Sequence, residues 1–338
     1  MSLKIAVVGC GALGGFYGAK LSRAGHDVHF LLRSDYEAVL RDGLQVRSRA
    51  GDFTARPRCA QDPGEIGPAD LVLIGLKTTA NHAFPRLLPP LVGHHTRVLT
   101  LQNGLGNEEQ LAALFPADQI LGGLCFVCLN RIAPGVVHHL DHGRIVLGEF
   151  GRPAQPRTHE LAALFQQAGV SCEVTGDLAR AHWEKLVWNI PFNGLGVASC
   201  AGLAALGPGA EPIHPREPCR DTAALLGDPP WESLVRELMH EVIATAHRLG
   251  YPVEESLAHQ QIERTRSMGA YRASTLVDFE RGQVLELESL FLEPLRHARQ
   301  AGVATPRLEA LCRVLQALAP APAAQVPAAN ALDSPGPP

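Results

Sequence analysis

Apolar and polar positions in the first part of the chain fall in blocks rather than alternating singly. Residues 3–8 (Leu-Lys-Ile-Ala-Val-Val) form a short apolar run, 12–24 carry helical spacing, and His26 to Leu32 reads as a second strand. Short continuous apolar runs bounded by turns read as strands buried on both faces. The pattern therefore predicts a strand–helix–strand unit of about 30 residues. Runs at 71–76 and 97–101 extend it with further parallel strands. Runs at 120–128, 135–140 and 143–148 predict more strands, the last two joined as a hairpin by a turn at Asp141-His142-Gly143. A helix over 156–168 and a strand over 170–174 close this half.

From Asp177 onward the spacing is helical, with helices expected over 177–192, 231–249, 254–268, 270–280, 287–301 and 306–318. The intervening 207–230 is rich in Pro and Gly and reads as an irregular excursion. Residues 319–338 are Ala/Pro-rich with Asp333 as their only charged side chain, a composition expected to be disordered.

A length of 338 residues suffices for two domains with separate cores. The net charge of −4 provides no global basic field for nucleic acid or an anionic membrane. Residues 187–210 carry no charge, yet Asn189, Asn193, two prolines and five glycines make them a poor membrane span. Strand-like sequence from Lys4, with no charged and apolar leader before it, leads us to expect no secretory signal. Eight scattered cysteines without a disulfide framework fit a reducing cytoplasm.

The basic residues are 26 arginines and only four lysines: Lys4, Lys20, Lys77 and Lys185. Where arginine serves for generic positive charge, a retained lysine is a candidate for proton donation or for a compact ammonium in a small site.

Gly9-Cys10-Gly11-Ala12-Leu13-Gly14 is a GxGxxG lying between the first strand and the first helix. In that context the first glycine permits the tight turn, the second lets the backbone approach a pyrophosphate, and the third lets helix and strand pack closely. The helix N-terminus then offers free N–H groups to the phosphates. The chain is thus expected to hold a Rossmann dinucleotide-binding domain over 1–175, followed by an all-helical domain over 176–318. At the end of the second strand Arg33 can fork onto a 2′-phosphate, which favours NADP. Asp35 close behind keeps NAD open. Lys77 and Asn103 each follow a strand at its carboxyl end, where ligands of open α/β sheets bind. As an Asn-Gly pair, Asn103-Gly104 is equally a turn former.

Trp183-Glu184-Lys185-Leu186-Val187-Trp188-Asn189-Ile190-Pro191-Phe192-Asn193 places Lys185, Asn189 and Asn193 at i, i+4 and i+8, on one helix face. An ammonium and two amides on an apolar surface are costly unless they meet a polar ligand or each other. Pro191 is expected to kink or end the helix and re-aim Asn193.

These elements, with Ser274-Thr275-Leu276-Val277-Asp278 and Glu286, resemble the ketopantoate reductase (2-dehydropantoate 2-reductase) family over roughly residues 3–315. The resemblance implies a fold like that of 6-phosphogluconate dehydrogenases, with NADPH as cofactor and catalysis in the cleft between the domains. It implies that Lys185 is the general acid on the 2-keto oxygen. Asn103, Asn189, Asn193, Ser274 and Glu286 then contact the substrate, Glu286 at its hydroxyl end. Gly9, Gly11, Ala12, Leu13, Gly14, Arg33, Lys77 and Asn103 face the cofactor.

The chain departs from the family in three places. It reads Gly194-Leu195-Gly196-Val197 after Asn193, where Pro/Ala-Leu-Thr-Ala is usual. It reads Glu288-Ser289-Leu290-Phe291-Leu292 after Glu286, where Asp-x-x-Asn-Gly is usual. The excursion at 207–230 is also long. All three lie in the substrate half. An opine-type or other hydroxyacid dehydrogenase, and a non-catalytic NADP-binding sensor, are the competing readings, and a homodimer through the helical half stays open.

Three other signals read as structure. Cys125 and Cys128 lie in a strand-like apolar run and are expected in the core. His138, His139 and His142 with Asp141 do not suit one metal, because adjacent strand residues face opposite ways. Glu237 and Glu241 read as a solvated helix face.

Overall fold

The computed structural model describes residues 2–209 and 213–319. The tail expected to be disordered lies, from Pro320 on, outside the described residues.

The first half is one sheet with helices against it. Its elements are β1 (Lys4–Val8), α1 (Ala12–Arg23), β2 (Asp27–Leu31), α2 (Tyr36–Asp42), β3 (Leu44–Ser48), β4 (Phe53–Ala55), β5 (Arg58–Ala60), α3 (Pro63–Ile66), β6 (Ala69–Ile74), α4 (Phe84–Leu87), β7 (Val92–Thr100), α5 (Asn107–Ala112), β8 (Ile120–Ala133), β9 (Val136–Glu149), α6 (Pro156–Gln167) and β10 (Cys172–Val174). Six strands run parallel in the order β5-β2-β1-β6-β7-β8, and β9, β3 and β4 continue the sheet beyond β8. That is the doubly wound order in which strand succession reverses beside β1, opening a crevice at the carboxyl ends of β1 and β6. Ile5, Ala6, Val7, Leu71, Val72, Leu73 and Ile74 are fully buried, which is why these strands read as unbroken apolar runs.

The expected hairpin turn at Asp141-His142-Gly143 is not a turn. β8 and β9 are single long strands that reverse at Pro134-Gly135, where Gly135 has φ +68°. Asp141–Gly143 lies within β9 as an irregularity in its pairing with β8, with His142 at φ +62° and Gly143 at φ +133°. A bulge uses the same residues as a turn and bends the strand without reversing it. His139 helps hold it: its Nε2 lies 2.8 Å from the His142 carbonyl and its Nδ1 2.8 Å from Ser48 Oγ.

The second half consists of α7 (Leu178–Ala198), α8 (Thr222–Leu226), α9 (Pro229–Arg248), α10 (Ser256–Arg266), α11 (Ser274–Glu280), a π-helical turn over Glu288–Leu292, α12 (Glu293–Gln300) and α13 (Pro306–Leu318). Its core is a cluster of its own, running from Trp183 to Leu318. The helix α7 is its axis, begun by Asp177, whose side chain accepts from Arg180 N at 2.9 Å. Pro191 does not end α7, which continues to Ala198. An interior proline costs about 3 kcal/mol. Here every residue from Asn189 to Ala198 is buried, so packing on all sides outweighs that cost.

Glu237 and Glu241 are not a solvated face. Glu241 accepts from Arg307 N and Leu308 N, both at 2.8 Å, and so caps α13, while Glu237 meets Arg307 Nε at 2.5 Å. Long-range capping of this kind leaves no periodic mark in the sequence. Cys125 and Cys128 are each 8% exposed, and all eight cysteines are free thiols.

Candidate active site

Between β1 and α1 the glycine loop is built as its spacing requires. Gly9 has φ +91°, and a Cβ there would lie 2.3 Å from Leu76 N, so only glycine lets the loop touch the strand-end of β6. A Cβ on Gly14 would lie 2.3 Å from the Gly9 carbonyl oxygen. Gly11 is different: a Cβ there meets nothing within 4 Å. Its lack of a side chain serves no internal contact, and it leaves open space in front of the N-terminus of α1. That terminus has no side-chain cap and no acidic residue in its first turn. Uncapped N–H groups beside an open approach fit a pyrophosphate.

At the far end of the crevice, Arg33 is exposed and its guanidinium makes no hydrogen bond or ion pair among the described residues. Asp35 is buried and fully engaged: it accepts from Arg131 Nε at 2.8 Å and from a second Arg131 nitrogen, from Gly135 N at 3.0 Å and from Ser34 Oγ at 2.8 Å. Burial alone would raise its carboxyl pKa, but these donors outweigh burial and hold it below the usual value.

Facing the crevice is the polar side of α7. Lys185 Nζ donates to Asn103 Oδ1 at 2.8 Å, joining the helical half to the loop after β7. Burial pushes the Lys185 ammonium down to about 8, opposed by Cys125 and by the carboxylate of Glu286. Phe126 covers it from β8, with Nζ 5.4 Å from the ring centroid. Asn193 Oδ1 accepts from Ser274 Oγ at 3.2 Å and Thr275 N at 3.1 Å, which fixes the start of α11. Asn189, one turn from Lys185, is 6% exposed and its amide has no hydrogen-bond partner among the described residues. Its amide atoms are not among the buried atoms left unpartnered, so solvent reaches them and they are open to a polar ligand on this face.

Two further contacts close the cleft from the C-terminal side. Glu286 accepts from Thr78 N at 2.7 Å, and burial raises its carboxyl pKa. Lys77 Nζ meets Asp278 Oδ1 at 2.6 Å and Gln283 Oε1 at 3.1 Å. The structure thus brings Lys77, Asn103, Lys185, Asn193, Ser274 and Glu286 to one interdomain cleft, and sets Arg33 at its outer end.

The sequence pattern did not reveal what holds Asn103 in place. Gln102 Nε2 donates to the Leu76 carbonyl at 3.0 Å and to Asn81 Oδ1 at 2.7 Å, Asn81 Nδ2 to Asn107 Oδ1 at 3.0 Å, and Asn107 Nδ2 to the Asn103 carbonyl at 3.2 Å. This buried amide chain runs behind the loop and fixes its backbone. Glu108 and His182, both buried, meet at 3.0 Å and form a second link between the domains, one turn before Lys185. The only sequence signal for either feature is the density of polar residues in loops flanked by apolar strands.

The departures from the family pattern also have a physical account. Phe291 is fully buried, and a Cβ on Gly194 would lie 2.9 Å from its ring and 2.5 Å from Leu311. Gly194 and Phe291 are thus complementary parts of the helical core. Ser289 meets Thr78 Oγ1 at 3.0 Å, and its carbonyl accepts from Leu105 N at 2.9 Å, so the π-helical turn packs on the loops after β6 and β7.

A GxGxxG loop on one wall of the cleft and a lysine with a lowered pKa on the other suit a two-domain oxidoreductase. Residues 5–152 match the family model described as ketopantoate reductase PanE/ApbA, and residues 219–319 match the model for its C-terminal part. The chain belongs to the ketopantoate reductase family. It is 41% identical to a 2-dehydropantoate 2-reductase of Nostoc sp. over 93% of this chain and 95% of that one. Among solved structures, a 2-dehydropantoate 2-reductase from Geobacter metallireducens is 48% identical with a TM-score of 0.84, covering 93% of this chain and 99% of its own. One from Methylococcus capsulatus is 34% identical with a TM-score of 0.83, covering 94% and 96%. Ketopantoate reductases are oxidoreductases that use NADPH.

Proposed function

We propose that this protein reduces a 2-keto acid with NADPH, most simply 2-dehydropantoate to pantoate, the step that serves pantothenate biosynthesis, and that Lys185 is the general acid. The observation that carries the proposal is Lys185 itself: half-buried in the cleft, held by Asn103 at 2.8 Å, its pKa lowered to about 8. A general acid works best when its pKa lies near the operating pH, and an ordinary lysine is too weak an acid for that.

The glycine loop, with open space at Gly11 and an uncapped α1, fits a dinucleotide, and Arg33 fits its 2′-phosphate. When bound, NADPH supplies the hydride. Each remaining role belongs to the chain. As the keto carbon is reduced, negative charge grows on its oxygen, and the Lys185 ammonium neutralises that charge and delivers the proton. Asn103 accepts from the ammonium and so aims it. Asn189 offers an amide with no other partner, and Asn193 with Ser274 holds the start of α11 against the same face. Glu286 is the acceptor for a substrate hydroxyl and also favours the charged form of Lys185. The Phe126 ring, 5.4 Å from Nζ, shields one side of the ammonium.

Gly194 and Phe291 fill the helical core, so these departures leave the polar residues of the cleft as the family has them. Free thiols throughout support a cytoplasmic location.

NADPH oxidation in the presence of ketopantoate tests the proposal, comparing wild type with Lys185→Ala. Turnover that survives the substitution unchanged rejects the general-acid role. Turnover with other branched 2-keto acids but not ketopantoate rejects the substrate while leaving the reaction type standing.

A further inference from the structure

An acidic side chain stands two residues beyond Arg33, just past the end of β2. A carboxylate in this region suits ribose hydroxyls and repels a 2′-phosphate. Yet Asp35 is only 5% exposed. Its oxygens accept from Arg131 Nε (2.8 Å) and a second Arg131 nitrogen, Gly135 N (3.0 Å) and Ser34 Oγ (2.8 Å). Four donors fill the acceptor sites of one carboxylate, leaving none for a ribose.

Arg131 lies 96 residues away in sequence, near the tip of the β8–β9 hairpin. Gly135 is the reversal of that hairpin, and its carbonyl accepts from Gln45 N at 2.8 Å. The tip is therefore wedged between β3 and the loop after β2, and its three donors hold Asp35 toward the hairpin. Arg33, by contrast, has no hydrogen-bond or ion-pair partner among the described residues.

We propose that Arg131 is a specificity-determining residue for the cofactor: by clamping and neutralising Asp35 it removes a carboxylate that would oppose a 2′-phosphate beside Arg33, and so selects NADPH over NADH. Arg131 acts through Asp35 and is a positioning residue. The inference rests on the reading of Arg33 as the 2′-phosphate site.

Calorimetric binding of NADPH and of NADH to the full chain provides the test. Wild type is expected to prefer NADPH. Equal affinity for the two would reject the cofactor reading itself, and this inference with it. In Arg131→Met the preference should fall by about tenfold or more, because a like charge beside the phosphate is released. In the double variant Arg131→Met/Asp35→Asn the preference should return, since the freed side chain is no longer charged. A merely structural ion pair would leave the ratio of affinities unmoved. Thus a wild-type preference that persists in Arg131→Met, or a lost preference that Asp35→Asn does not restore, overturns the proposal. Should Arg131→Met melt below the assay temperature, Arg131→Gln is read in its place. It removes the charge but keeps a polar side chain of similar reach, and an unchanged ratio there also overturns the proposal.

Discussion

Lys185 and Asn103 meet across the interdomain cleft, the ammonium of one donating to the side-chain oxygen of the other at 2.8 Å. One residue sits on the axial helix of the helical half and the other on a loop of the sheet, so this contact exists only when the two halves are closed on each other.

The first expectation concerns that lysine. Replacing Lys185 by Ala should lower the rate of keto-acid reduction by roughly 10²–10⁴-fold, the usual worth of a positioned acid. In wild type, kcat/KM for reduction should fall as pH rises through about 8, because the group must be protonated to act and its pKa is lowered to about 8. The reverse oxidation should rise over the same interval. An alkaline limb near the ordinary lysine value would contradict the depressed pKa.

Glu286 offers a second test, because its carboxylate stabilises the Lys185 ammonium. Glu286→Gln keeps the shape and removes the charge. The kinetic pKa should then move below about 8, and KM for a hydroxylated keto acid should increase. A pH profile superimposable on wild type would show that the two groups are not coupled.

The glycine loop separates folding from ligand binding. Gly11→Ala should fold with nearly wild-type stability, since a Cβ there meets nothing within 4 Å and the residue has φ −72°. It should nevertheless weaken dinucleotide binding, because the methyl group projects into the open approach. Gly14→Ala should lower both, its Cβ lying 2.3 Å from the Gly9 carbonyl. Thermal melts with and without NADPH distinguish the two, and a Gly11→Ala protein that binds normally would remove the pyrophosphate from this position.

In the helical core, Phe291→Ala should cost about 3–5 kcal/mol of stability, as expected for a fully buried aromatic. Gly194→Ala should cost about 1–3 kcal/mol by overpacking against Leu311 and Phe291. Combined with Phe291→Leu, Gly194→Ala should cost less than the sum of the two, read from denaturant unfolding. Strict additivity would mean that the two positions do not share space.

Parallel strands are legible where a strand buried on both faces is a continuous apolar run, as Ile5–Val8 of β1 and Leu71–Ile74 of β6 are. The hairpin was misread because Pro134-Gly135 and Asp141-His142-Gly143 both carry turn chemistry. Only the pairing of β9 with β3, β8 and β10 makes the first a reversal and the second a bulge. Pro191 does not end the helix, for a related reason: local propensity argues against a helix there, and burial on every side overrides it. Glu241 was taken for a solvated residue because the α13 terminus that it caps comes 66 residues later.

What the sequence determined by itself is local: a glycine loop between a strand and a helix, one lysine among four spaced in phase with two asparagines, and an arginine at the end of β2. Each of these depends on neighbours within a few residues, and short-range geometry places them. The tertiary structure decided what those groups do. It set the acidity of Lys185 by burying it, gave the lysine a partner 82 residues away, and turned Asp35 toward Arg131 instead of the crevice. Proton affinity and charge neutralisation depend on solvent exclusion and on distant side chains, neither of which is present until the chain has folded.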